Sequence, residues 1–240
     1  MVKEYLVVSK TFVPFRSLQP LRKLPTTKFK QLAMLKRTTG RVLLSLLVIT
    51  GLAGTINNNS LSKEERKYAL GLMKDTYKEA LKTVKGLSAN QLNYRSAPER
   101  WTVKECFYHI AATEKGLWSL LEGTMKAPAN PEKRGEIKVS DEDFVKRVMD
   151  RTQKAQAPEP FQPKNITYQS LDEAMADFKT NRMNHIRYMK TSTEDLRNHV
   201  VQMPFGWIDC YQLYLMIAAH SNRHTQQMQE VMAGNGFPAE

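Results

Sequence analysis

Residues 209–233 read Asp-Cys-Tyr-Gln-Leu-Tyr-Leu-Met-Ile-Ala-Ala-His-Ser-Asn-Arg-His-Thr-Gln-Gln-Met-Gln-Glu-Val-Met-Ala, and their periodicity decides the fold. Tyr214, Ile217, Ser221, His224, Met228 and Val231 recur at the three-to-four-residue spacing of one helix face. Gly234-Asn235-Gly236 follows and offers residues that tolerate positive φ at a helix end. His220 and His224 stand four apart, so both imidazoles lie on one side, one turn from each other. Two side chains so placed can converge on one metal ion. An imidazole that faces a helical core either finds a hydrogen-bond partner or binds a metal.

Working outward, three more long helical patterns precede this one. The first opens at Ser62 with Glu65 three residues on, the spacing of a capping box. Its stripe is Ala69, Leu70, Met73, Tyr77, Ala80, Leu81 and Val84, and Gly86 suits its stop. The second opens at Thr102 with Glu105, carries Val103, Phe107, Ile110, Glu114, Leu117 and Leu121, and meets Gly123 as a stop signal. The third opens at Ser170 with Glu173, again at capping-box spacing, and carries Leu171, Ala174, Met175, Phe178, Arg182, His185 and Met189. Between the second and third lies a long connection, 124–169, with a short helical piece over about 141–151 and a Pro-rich tail at Pro158, Pro160 and Pro163. A loop with Pro204-Phe205-Gly206 leads into the fourth helix. Four amphipathic helices with almost no strand alternation predict an all-α, up-and-down four-helix bundle with a short extra helix in its long connection.

The charge is unevenly placed. The chain carries 36 Lys and Arg against 24 Asp and Glu, a net +12. Residues 1–53 hold ten basic side chains and a single acid, Glu4, for +9; the remainder is +3. The body is therefore nearly balanced, which argues against a nucleic-acid-binding face on it. Lys36, Arg37 and Arg41 precede an uncharged run, Val42–Ala53, that ends in Gly-Leu-Ala. That order is the grammar of a signal peptide, and the run is short for a membrane span of ~20 residues. The division expected is a basic extension over 1–33, a signal peptide or membrane anchor over 34–53, a polar linker over 54–61 and the bundle over 62–240. The location expected is export, periplasmic or membrane-anchored, with a cytoplasmic location as the alternative. Two cysteines, Cys106 and Cys210, give no metal-ribbon or disulfide framework. Bundle axes ~10 Å apart leave them as two buried free thiols.

His109 follows the Thr102 cap by seven residues. If the second and fourth helices run parallel, His109 and His220 differ in level by only ~6 Å, and three histidines form a cage with open coordination positions. Three protein ligands with room for a fourth is the catalytic pattern rather than the structural one. The spacing alone does not separate this cage from packed core histidines, and Ser221 stands where a zinc protease would carry its Glu.

At these residues the sequence resembles the DinB-like (DinB/YfiT) superfamily of four-helix-bundle metalloenzymes. Trp101-Thr102-Val103-Lys104-Glu105-Cys106-Phe107-Tyr108-His109 is similar to the family's W-[ST]-x-x-E-x-x-x-H segment. His220-Ser221-Asn222-Arg223-His224-Thr225-Gln226-Gln227 is similar to its H-x-x-x-H-x-x-Q helix. The resemblance implies that His109, His220 and His224 ligate a divalent metal ion, zinc or nickel. It also implies a metal-dependent thiol S-transferase or hydrolase acting on a small molecule, with a low-molecular-weight thiol as one class of cosubstrate. No nucleic acid is expected, and membrane contact only through the N-terminal segment. The alternative is a non-catalytic metal-binding or structural bundle, expected as a homodimer.

Several neighbours of the histidines are candidates for outer contacts. Glu105 stands one turn before His109 and either orients it or caps the helix. Glu114 and Arg182 fall on inward stripes, where a buried charge needs a partner, and are expected to pair with each other or with a ligand-side group. Gln227, three residues past His224, and His185, on the third stripe, complete the set, while His199 is expected to be exposed. In a parallel arrangement Trp101 and Trp207 share one bundle end, where they wall a pocket or pack in the core.

Overall fold

Ser62 accepts a hydrogen bond from the Glu65 N–H, and the Glu65 carboxylate accepts one from the Ser62 N–H, so the first bundle helix starts with both halves of its box in place. The structure is a computed structural model and describes residues 61–239. The extension 1–33, the segment 34–53 and the linker apart from Leu61 lie outside the described residues. Helix α1 spans Lys63–Val84, and a one-turn α2 follows at Ala89–Asn93. Helix α3 is Val103–Lys126, opened by the complete Thr102/Glu105 box. It runs through Gly123, which was expected to stop it. The connection holds α4, Asp141–Met149, and three short 3-10 segments at Pro131–Glu136, Glu159–Phe161 and Pro163–Asn165. Helix α5 is Leu171–Thr191 and α6 is Cys210–Met232.

Two local readings change. Ser170 caps α5 by accepting from the Glu173 N–H, but the Glu173 carboxylate reaches the Gln169 N–H at 2.7 Å, one residue earlier than a capping box requires. The loop before α6 is a hairpin: β1, Val200–Met203, pairs antiparallel with β2, Gly206–Asp209, in the register Val200 opposite Asp209. Pro204 and Phe205 form its two-residue turn, and Gly206 takes φ +130°, a value that a side chain would oppose.

The bundle order is not up-and-down. Tyr211 at the start of α6 donates to the Glu65 carbonyl at the start of α1, and Asn222 reaches Glu79 one half-helix later, so α1 and α6 run parallel. Trp101, just before α3, packs on His224 in the second half of α6, so α3 opposes α6. Phe107 meets Phe178, and Glu114 meets Arg182 and His185, so α3 and α5 run parallel. The sequence of directions is up, down, down, up. Helix α6 packs between α1 and α3, and α5 closes the opposite side against the same two. The expected parallel pairing of the second and fourth helices is therefore reversed. A parallel α3–α5 pair needs its chain carried back along the bundle, which is the work of the long connection.

Side chains divide the interior into two apolar clusters. One gathers Met73, Leu121, Met189, Tyr214 and Ile217 with α4 and the hairpin. The other gathers Ala80, Val84, Phe107, Phe178 and Met228. Between them a polar layer crosses all four long helices: Thr76, Thr113 with Glu114, Arg182 with His185, and Ser221 with His224, each buried. No described helix is long and apolar enough to cross a membrane.

Candidate metal centre

His109 is the seventh residue of α3, while His220 and His224 lie past the middle of α6. Because the helices oppose each other, the start of α3 faces the later turns of α6 and the three imidazoles come level. Ring centroids stand 5.0 Å apart for His109–His220, 4.3 Å for His109–His224 and 4.6 Å for His220–His224. One ring nitrogen from each lies within 4.8 Å of the others. His109 and His224 are buried and His220 is only partly exposed. Among the described residues it contains three imidazoles and no carboxylate or thiol.

The hydrogen bonds say which nitrogens converge. His109 Nδ1 lies 2.7 Å from the Phe161 carbonyl oxygen, which can only accept, so the proton sits on Nδ1. Thr113 donates its hydroxyl proton to the His109 carbonyl at 2.6 Å, leaving an oxygen lone pair for His220 Nδ1 at 3.3 Å. His224 Nδ1 donates to Gln227 Oε1 at 2.8 Å. Each ring thus spends its Nδ1–H on an acceptor and keeps a bare Nε2. The Nε2 atoms of His109 and His220 face each other at 3.4 Å, two lone pairs with no proton between them. A cation at their meeting point satisfies all three, and an outer acceptor on each ring is how ligating histidines are held.

Charge points the same way. Burial pushes the His109 pKa down to about 4 against a weaker upward pull from the Phe161 carbonyl. Burial, then the neighbouring His220 and His109, holds His224 well below the usual histidine range, and burial with His109 and Arg223 lowers His220. The rings are neutral at neutral pH, the form that can ligate.

Trp101 covers the cluster, edge-on to His109 at 4.9 Å and stacked on His224 at 5.7 Å. Trp207 sits at the other bundle end beneath the Lys133 ammonium, so the two tryptophans do not share a pocket. A cleft of about 160 Å³ is lined by Ser96, Arg100, Trp101, Gln227, Glu230 and Val231; it reaches His224 only through Trp101 and Gln227, and no histidine lines it.

The outer candidates separate into three cases. Gln227 touches a ring of the cluster. Glu105 does not: its carboxylate is taken by the Thr102 N–H at 2.8 Å and by Arg95 at 2.6 Å. Glu114, Arg182 and His185 form a network of their own in the polar layer, and it adjoins the cluster through Ser221, the residue after His220, and through Thr113, the residue before Glu114. Arg182 fills all five of its N–H bonds: two to Glu114 at 2.6 Å each, and one each to the Met73 carbonyl, Thr76 and Ser221. His185 faces Glu114 at 3.0 Å and lies under Trp118 at 4.2 Å. His199 is half-buried rather than exposed, with Nδ1 2.7 Å from the Asp195 carbonyl.

Sequence reasoning missed Thr113 and Phe161. Thr113 stands four residues past His109 on the same face, a signal that was there to be used. Phe161 acts through its main chain, which has no residue signature; only an aromatic side chain among three prolines marks it.

The family model described as the DinB superfamily matches residues 72–228. YfiT from Bacillus subtilis, described as a probable metal-dependent hydrolase with an unusual four-helix bundle topology, aligns at 13% identity and a TM-score of 0.50, over 74% of this chain and 97% of its own. No curated protein matches the chain.

Proposed function

The chain belongs to the DinB superfamily, and from that premise we propose a metal-dependent enzyme whose divalent ion is held by the Nε2 atoms of His109, His220 and His224. The observation that carries the reading is the shared direction of the rings. Three neutral imidazoles, each fixed by an Nδ1–H bond, aim lone pairs at one small volume. A closed structural site needs a fourth protein ligand, and none stands in the cluster among the described residues. A divalent ion there would supply Lewis acidity and favour the deprotonated form of a water or small thiol nucleophile.

The chain's own residues do the rest. Phe161, Thr113 and Gln227 fix the ring orientations, and Trp101 keeps water from two of the rings. The cleft at Arg100, Gln227 and Glu230 offers polar groups to one end of a small substrate. Hydrolysis is the leading reaction, in line with the description of YfiT, and transfer of a low-molecular-weight thiol is the second, resting on the resemblance of the two histidine motifs. Export or anchoring by residues 34–53 belongs to the same proposal and rests on the sequence, and a homodimer is the expectation attached to the non-catalytic alternative.

Elemental analysis of the purified chain tests the centre. Close to one divalent ion per chain is expected, lost in His220→Ala and in His224→Ala; full occupancy in both variants overturns it. Turnover of an ester, amide or thiol panel by the loaded but not the stripped protein separates an enzyme from a non-catalytic metal binder. Sequencing the mature N-terminus and measuring the mass in solution test the remaining points.

A further inference from the structure

The connection between α3 and α5 is fastened to the helices that carry the histidines. Arg223 donates to the Asp150 and Gln153 carbonyls, Gln226 to the Met149 carbonyl at 3.1 Å, and His109 to the Phe161 carbonyl at 2.7 Å. In each case a helix side chain holds a main-chain oxygen of the connection.

At Phe161 the fastening has a shape. Gly116 lies in the interior of α3, seven residues past His109 and hence on the same face. A Cβ built there would stand 2.3 Å from Phe161 Cζ and 2.7 Å from Cε1, against ~3.5–4.0 Å for carbon atoms in contact. The ring therefore fills the space that any side chain at 116 would occupy. Glycine inside a helix is disfavoured relative to alanine, and the seated ring accounts for its presence. The backbone at Phe161 has little slack. Pro160 and Pro163 fix their own φ angles, and the Phe161 N–H donates to the Pro158 carbonyl at 2.8 Å. Ring and carbonyl belong to one short restrained segment, anchored on α3 by the ring at Gly116 and by the carbonyl at His109.

We infer that Phe161 is a positioning residue of the metal centre: its ring, seated in the notch left by Gly116, aims its carbonyl at His109 Nδ1 and so holds the His109 Nε2 toward His220 and His224. The inference rests on the metal-centre reading above.

Gly116→Ala in the full chain tests it, because alanine favours the helix while its methyl group unseats the ring. Zinc affinity, read by competition with a chromophoric chelator, should fall roughly tenfold, while the melting temperature of the metal-free protein does not fall. Long-range proton–nitrogen NMR of the metal-free protein should show His109 as one Nδ1–H tautomer in the wild type and as a mixture in the variant. Phe161→Ala should lose affinity likewise, and Gly116→Ala/Phe161→Ala should bind no more weakly than Phe161→Ala, since the methyl then meets no ring. Wild-type affinity with a single tautomer in Gly116→Ala overturns the inference, and so does an additive loss in the double variant. A wild-type chain that binds no zinc overturns the metal reading instead, and the tautomer measurement still decides the seating of Phe161.

Discussion

The Arg182 guanidinium grips the Glu114 carboxylate through two parallel hydrogen bonds of 2.6 Å at the centre of the bundle, and solvent reaches neither residue to any useful extent. The remaining donors of Arg182 reach α1 and α6, so one side chain on α5 ties together all four long helices.

Removing one partner leaves a buried charge alone. Arg182→Met should cost about 3–5 kcal/mol in urea unfolding. Replacing both members, as Glu114→Leu/Arg182→Met, should recover part of that loss, because the stranded carboxylate goes too. Equal losses in the single and double variants would show that packing, not charge pairing, sets the cost.

The pair also writes an acid limb into the stability curve. Burial alone would raise the Glu114 pKa. The Arg182 charge, with hydrogen bonds from His185 and Arg182, outweighs it and holds the carboxyl below its ordinary range. A group depressed in the folded state stabilises it above the unfolded pKa of about 4.3, and that stability is lost as pH falls through the folded value. The gap between wild type and Glu114→Gln should be widest near neutrality and shrink in acid. Urea titrations at several pH values check it, and parallel curves would contradict it.

Metal and stability should be linked. An ion that binds only the folded chain adds about 2.7 kcal/mol at a free concentration a hundredfold above its dissociation constant. Thermal melts of the wild type should rise on zinc addition and fall with chelator, whereas His224→Ala should respond to neither.

The acceptors behind the rings should matter almost as much as the rings. Thr113→Val and Gln227→Leu each remove an Nδ1 partner and should weaken metal binding about 10–100-fold without changing the stoichiometry at saturation. Calorimetric titration distinguishes this from loss of the site.

Cys106 and Cys210 should stay silent toward a thiol reagent in the native protein. Both are buried and unpaired. Burial raises the Cys106 thiol pKa far above its ordinary value and pushes that of Cys210 up to about 12. Both should react on unfolding, and a fast native reaction at either would mean local opening.

Much of the fold was legible because its signals are local. Ser62 with Glu65 and Thr102 with Glu105 announce helix starts through bonds spanning three residues, and Asp209 opens α6 by the same device. Burial called for a partner to Glu114 and Arg182 and left two open, each other or a ligand-side group; the structure takes the first. Helix direction did not follow, since stripes on α3 and α5 look the same whether the helices run parallel or opposed. The hairpin hid in two four-residue runs, Val200–Met203 and Gly206–Asp209, too short to show alternation. At the site the histidines announced themselves by type and spacing, whereas the Phe161 carbonyl belongs to a group that every residue possesses.

The up, down, down, up order has a kinetic consequence. Helix α1 packs mainly on α5 and α6, the last two long helices, and scarcely on α3, the next long helix in the chain. No early hairpin of neighbouring helices can bury its apolar stripe. Contacts such as Tyr211 with Glu65 close loops of 146 residues, and ordering that much chain comes before any reward from packing. For a helical protein this one should fold slowly and all at once.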